Sequence, residues 1–185
     1  MKRIFAVLLV AALLTGCAGG ADMDRALAFR GKLLAGQGTT FDAHITADYG
    51  DKFYTFSVRC ATDSKGDLTF EVLSPETIAG ITGTVSQGGG KLTFDDQALA
   101  FDTMADGQIT PVTGPWVLMK SLRSGYLTSG TVEGETLRLA VDDSYADDAL
   151  HLDVWLDGQD RPIRGEIFWQ GRRILSIDVE NFTIV

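Results

Sequence analysis

The sequence contains few of the residues that build the commonest functional sites. Two Cys and two His in 185 residues exclude a zinc framework made of Cys and His. No run of basic residues follows Arg3, and the formal net charge is -9. Nucleic-acid binding requires clustered Lys and Arg to neutralise phosphates, so this class of partner is excluded. Pro occurs only four times, against 21 Gly, which favours a protein with many turns and no Pro-rich linker.

Long apolar runs are also missing. The longest is Ile4 to Leu14, eleven residues that follow Lys2 and Arg3. A membrane-spanning helix needs about 20 apolar residues, whereas eleven are typical of the apolar region of a secretory signal. The run ends in Leu-Thr-Gly-Cys at Cys17, which resembles the lipobox of bacterial lipoproteins.

The lipobox predicts the domain organisation. We expect residues 1–16 to be a lipoprotein signal peptide, residues 17–21 to form an acylated Cys and a short tether, and residues 22–185 to form one domain. Fatty acyl groups such as palmitate on Cys17 would anchor the chain to a bacterial membrane, outside the cytoplasm. That membrane is the outer face of the cytoplasmic membrane, or the outer membrane if the host has one. Cys60 lies among alternating apolar residues and is expected to be a buried thiol.

In the mature chain, the sequence predicts one helix followed mainly by strands. Asp22 is placed to cap a helix that ends at Gly36. From Phe41 the apolar period changes to two, which predicts antiparallel strands joined by tight turns. About six strands precede residue 105, and about four follow residue 137. Between them, Pro115 to Tyr126 has an apolar stripe at helical spacing, which predicts a second helix.

This order of elements resembles the lipoprotein-localisation superfamily. Its members include the LolA and LolB carriers, mycobacterial lipid-carrying lipoproteins and RseB-type sensors. The resemblance covers residues 22–182, and it depends on element order, length and the lipobox. It implies a mainly β fold: a curved, incomplete antiparallel β-barrel with an N-terminal helix and a central lid helix on its concave face.

Two functions follow from the resemblance. The first is a non-enzymatic carrier that binds lipid, or the acyl chains of another lipoprotein, in an apolar cavity of the half-barrel. The second is a sensor that contacts an envelope membrane protein and tolerates a packed interior. For the first, the expected ligand contacts lie on two strands and on the central helix: Tyr54, Phe56, Leu68, Phe70, Trp116, Leu118, Met119 and Leu122.

No pattern in the sequence points to catalysis. Gly-x-Ser-x-Gly and Ser-x-x-Lys motifs are missing, and His151 occupies a strand position opposite an apolar face. The segment around Tyr145 carries Asp142, Asp143, Asp147 and Asp148, whose spacing matches no EF-hand. A solvated acidic turn is favoured there over a calcium site. We therefore expect no enzyme activity, no cofactor and no metal.

Overall fold

A single curved antiparallel sheet forms most of the molecule. The computed structural model describes residues 18–105 and 108–185. The two helices are α1 (Ala18–Ala35) and α2 (Gly114–Ser124), the latter preceded by a 3-10 turn over Pro111–Thr113. The strands are β1 (Thr39–Asp48), β2 (Phe53–Thr62), β3 (Leu68–Ser74), β4 (Thr82–Ser86), β5 (Gly89–Phe94), β6 (Gln97–Phe101), β7 (Met104–Ala105), β8 (Gln108–Ile109), β9 (Tyr126–Glu133), β10 (Thr136–Asp142), β11 (His151–Leu156), β12 (Pro162–Trp169) and β13 (Arg172–Ile184).

The first and last strands of the chain meet in the middle of the sheet. The order of the eleven strands is β6-β5-β4-β3-β2-β1-β13-β12-β11-β10-β9, and β7 and β8 form a separate small hairpin. Strand β1 pairs with β13 from Thr39 opposite Ile184 to Ala47 opposite Leu175. The sheet does not close, so β6 and β9 are its two edges. The mainly β, incomplete barrel predicted from the sequence is confirmed.

Alternation along the strands explains why the sheet has one buried face. In β1, Phe41, Ala43 and Ile45 are buried, and the polar residues between them lie on the opposite face. Successive side chains of a strand point to opposite faces, so this pattern fixes the pairing register. The buried side chains from β1 and its neighbours form the core under the two helices. We call this concave, helix-bearing face the inner face and the other the outer face.

The first helix begins earlier than predicted. Helix α1 starts at Ala18, so residues 18–21, expected to form a tether, are helical. Asp22, expected as the cap, lies inside the helix, and its carboxylate accepts a hydrogen bond from the Val132 backbone N–H at 3.3 Å. Cys17 lies outside the described residues. Neither described helix is both long and apolar enough to cross a membrane.

Strand β9 is the one large element that the sequence pattern missed. Its middle residues, Thr128 to Thr131, are small or polar and show no alternation of apolar side chains. Tyr126, expected at the end of the second helix, instead begins β9, because α2 ends at Ser124 and Gly125 is extended. Its ring lies against that of Tyr145, with 3.6 Å between the ring centroids.

Candidate functional site

The eight predicted ligand contacts fall into two groups. Tyr54 is 45% exposed and Phe56 is half-buried, and both lie near the start of β2. The remaining six are buried in the core: Leu68, Phe70, Trp116, Leu118, Met119 and Leu122. The structure therefore brings the α2 residues and the β3 residues into one apolar interior, and leaves Tyr54 at its rim beside Tyr49.

Helix α2 packs tightly onto the sheet. A Cβ atom added to Gly165 on β12 would lie 2.8 Å from a methyl carbon of Leu118. A Cβ atom added to Gly114 would lie 2.9 Å from Leu175 and 3.2 Å from Ile177 on β13. Glycine at these two positions thus permits a close approach of helix and sheet. In the state observed, side chains of α2 fill the space between this helix and the last strands.

Two arginines connect the C-terminal ends of the helices. Arg30 of α1 donates from Nε to the Leu122 carbonyl at 2.7 Å and from Nη2 to the Ser121 carbonyl at 3.3 Å. Arg123 of α2 donates in return to the Leu33 carbonyl at 3.1 Å. Carbonyls in the last turn of a helix lack a partner within it, so Arg30 satisfies the Leu122 carbonyl and Arg123 satisfies the Leu33 carbonyl. The Ser121 carbonyl also accepts a hydrogen bond from the Gly125 N–H at 2.8 Å. Burial lowers the pKa of Arg30.

Beyond α2 the inner face is uncovered. The cross-strand pairs Leu92–Leu99 and Gly90–Phe101 place the apolar side chains of β5 and β6 on the inner face. Phe94 is 55% exposed and Leu99 is 65% exposed, whereas Leu92 and Phe101 are half-buried against the core. We call these four residues the inner strip. The sequence pattern located both strands but gave no indication that the helices leave them open.

Glycines give this part of the inner face a flat floor. A Cβ atom on Gly83 would lie 2.5 Å from the Phe70 ring, and one on Gly90 would lie 2.1 Å from the Phe101 ring. Both rings therefore lie directly against the backbone of the neighbouring strand, where a side chain would displace them. The result is a continuous apolar surface from the core at Phe70 to the edge strand β6.

A cleft opens next to α2. Its volume is about 430 Å³, and we call it the Trp116 cleft. It is lined by Gln87, Thr103, Trp116, Val117, Lys120, Asp143, Ser144, Asp148, Leu150 and Trp169. A smaller cavity of about 380 Å³ shares Gln87, Trp116 and Lys120 with it and extends toward Leu34. Together they flank the exposed side of α2.

The outer face carries ion pairs and both histidines. Asp153 of β11 and Glu166 of β12 are buried and lie opposite each other. Arg138 contacts Asp153 at 2.7 Å, and Arg173 contacts Glu166 at 2.7 Å, which compensates both charges. His151 Nδ1 donates to the Asp142 carboxylate at 2.7 Å. The other imidazole, His44, lies 3.0 Å from the Ser57 hydroxyl.

Two further predictions concern Cys60 and the acidic turn. Cys60 is buried as expected, and burial raises the pKa of its thiol. In the acidic turn, Asp143 accepts a hydrogen bond from the Leu150 N–H at 2.8 Å, which holds the turn onto β11. Within residues 18–105 and 108–185, no group of three His, Cys, Asp or Glu side chains is placed to hold a metal ion.

Comparison with known proteins finds likeness of fold. No protein-family model matches this chain, and no curated protein matches it. Among solved structures, a LolA superfamily protein from Nitrosomonas europaea is similar at 10% identity and a TM-score of 0.45, over 86% of this chain and 93% of that one. The Mycobacterium tuberculosis lipoprotein LppX is similar at 11% identity and a TM-score of 0.42, over 88% and 93%.

A third similar structure is the Pseudomonas aeruginosa MucA/MucB complex. The match has 14% identity and a TM-score of 0.40, and it covers 86% of this chain and 56% of that one. These three structures are of the kinds that the sequence resembles. At these identities the similarity is one of backbone fold, and it does not extend to individual side chains.

Proposed function

We propose that this protein binds a long-chain amphiphile, such as a lipid or the acyl chains of another lipoprotein, on the inner face of its half-barrel. The observation that carries the proposal is the inner strip: four large apolar side chains on a concave surface that the helices leave open. Contiguous exposed apolar surface of this kind marks ligand or partner sites on soluble domains. The proposal assigns no catalytic step to this chain.

An acyl chain matches this surface in chemistry. The strip offers apolar contact and few hydrogen-bonding groups, and burial of an acyl chain requires little else. Each buried CH₂ contributes about 0.8 kcal/mol, so eight methylenes contribute roughly 6 kcal/mol before the cost of association. Headgroup contacts must supply the remaining binding free energy. We expect dissociation constants in the micromolar range.

The predicted contacts beneath α2 belong to a second state of the same site. Leu118, Met119 and Leu122 border the ligand only when α2 moves away from β12 and β13. The Arg30 and Arg123 hydrogen bonds hold α2 in its present position. Ligand binding thus starts on the open inner strip and extends under the helix when those bonds break.

A titration with anthroyloxy-stearate, a fluorescent long-chain fatty acid, tests the proposal on the full-length chain held in amphipol. Leu99→Asp places a charge in the middle of the inner strip and should weaken binding at least tenfold. Phe53→Asp is the matched control, because Phe53 is 68% exposed and lies outside the strip, on β2. Equal loss in both variants, or equal affinity in Leu99→Asp and wild type, contradicts the proposed site.

The membrane anchor is part of the proposal. Cys17 carries the acyl groups, and α1 begins at the next residue, so the domain lies directly at the membrane surface, outside the cytoplasm. Cys17→Ser should abolish incorporation of labelled palmitate and leave an uncleaved precursor, and Cys60→Ser should change neither. Labelling that survives Cys17→Ser contradicts this assignment.

The second candidate function is an interaction module for an envelope protein. It is favoured by strand β6, an exposed edge that, among the described residues, pairs with β5 alone. Unpaired strand edges can accept a strand from a partner. The same titration separates the two functions: if no long-chain probe binds at micromolar concentration, the interaction module replaces the carrier.

A further inference from the structure

We infer that the Trp116 cleft holds the headgroup of a zwitterionic amphiphile, one that carries a phosphate and an ammonium group. The inference rests on the proposed function, because the acyl chain of the same molecule occupies the inner strip. A cleft of about 430 Å³ is in the size range of small-molecule sites and accommodates such a headgroup.

Opposite charges line this cleft. Lys120 of α2 lines it, and so do Asp143 and Asp148 of the turn before β11. Within the part of the chain that the structure describes, no carboxylate lies within 4.0 Å of the Lys120 ammonium. The two signs therefore face the same space without pairing across it. A ligand with both charges complements them, whereas a ligand of one sign satisfies one side and is repelled by the other.

Two tryptophan rings favour one orientation of the headgroup, with its phosphate near Lys120 and its ammonium near the aspartates. The Lys120 Nζ atom lies 5.3 Å from the centroid of the Trp116 ring, a cation–π contact that keeps the ammonium over the indole. Lys120 is thereby placed as a compact positive charge for a phosphate. Trp169 lines the cleft together with the two aspartates, and an aromatic face beside carboxylates suits an ammonium ligand.

The cleft continues the inner face. Gln87 and Thr103, two of its lining residues, follow Val85 and Phe101 by two positions in the chain. Val85 is buried in the core, and Phe101 is part of the inner strip. An amphiphile can thus lie with its chain on the strip and its headgroup at the cleft. Helix α2 would contact the headgroup, because it contributes Trp116 and Lys120 to the cleft.

The test compares three lipids with the same acyl chain on the full-length chain in amphipol: lysophosphatidylethanolamine, lysophosphatidylglycerol and a monoacylglycerol. Each displaces anthroyloxy-stearate, and the apparent affinities are compared. We expect lysophosphatidylethanolamine to bind about fivefold more tightly than either of the others. The factor is small because solvent screens charge pairs that are partly exposed. Asp148→Asn and Asp143→Asn should remove its advantage over lysophosphatidylglycerol. Lys120→Gln should remove its advantage over the monoacylglycerol.

Asp147→Asn provides the matched control, since this exposed carboxylate is in the same turn but does not line the cleft. It should keep the full preference. Equal affinities for the three lipids, or a preference that survives Asp148→Asn and Asp143→Asn, overturn the headgroup site while the proposed function stands. If neither anthroyloxy-stearate nor the monoacylglycerol binds, the proposed function fails and the headgroup site fails with it.

Discussion

Asp160 holds the N-terminal helix to the sheet. Its carboxylate contacts Arg25 Nε at 2.6 Å and Lys32 Nζ at 3.1 Å, both on α1. Arg25 also donates to the Asp157 carbonyl at 2.7 Å. Burial by itself raises the pKa of Asp160, but the hydrogen bonds and charges of Arg25 and Lys32 outweigh it, and the pKa is lowered. The turn between β11 and β12 is thereby fixed against the helix.

The lowered pKa predicts a pH dependence. A carboxyl whose folded-state pKa lies below its unfolded value stabilises the fold fully above the unfolded pKa, and loses that contribution as pH falls through the folded pKa. Asp160→Asn should therefore reduce the free energy of unfolding by about 1 kcal/mol at pH 7, and by less at pH 3. Urea unfolding at the two pH values measures this difference. A deficit in Asp160→Asn that grows toward pH 3 would show that the sign is wrong.

At the scale of elements, the helix pair is held by polar contacts at one end. Two hydrogen bonds join Arg30 to the last carbonyls of α2. Arg30→Met keeps an unbranched apolar stem and removes both bonds, which should cost about 1–2 kcal/mol of stability. The effect should be local, because the apolar contacts of Leu118 with β12 remain.

Amide hydrogen exchange is the appropriate measurement for that variant. Protection should decrease in α2, from Gly114 to Ser124, while β1 and β13 exchange as in wild type. Asp24→Asn, an exposed change on α1, is the control and should leave α2 unchanged. Unaltered protection of α2 in Arg30→Met would mean that the Arg30 hydrogen bonds do not hold this helix in place.

Much of the element pattern is predictable from local sequence, and the exceptions have physical causes. Strands with one buried face, such as β1, show alternating apolar and polar residues, because every second side chain points into the core. Strand β9 does not alternate, because it is an edge strand whose middle residues are small or polar. The early start of α1 was missed because Asp22 has the chemistry of a cap, yet its carboxylate bonds Val132 of β9.

At the scale of the whole molecule, the pairing of β1 with β13 determines where the open surface lies. It joins two strand groups, β1 to β6 and β9 to β13, which share one inner face. Both helices cover the centre and the second group, and β5 and β6 remain open. Local sequence predicts apolar side chains on those strands, but not their exposure, which depends on how far α2 reaches. The ligand contacts expected beneath α2 remain a prediction, because the side chains there are packed against the sheet in this structure.

Locating a bound acyl chain would show whether the open inner face is the binding site. A stearate with a diazirine at the end of its acyl chain can be photolysed with the full-length protein, and the modified peptides identified by mass spectrometry. We expect crosslinks within residues 89–101, including Leu99, and their loss in Leu99→Asp but not in Phe53→Asp. Crosslinks confined to the outer face, or a pattern that Leu99→Asp leaves unchanged, would contradict binding on the inner face.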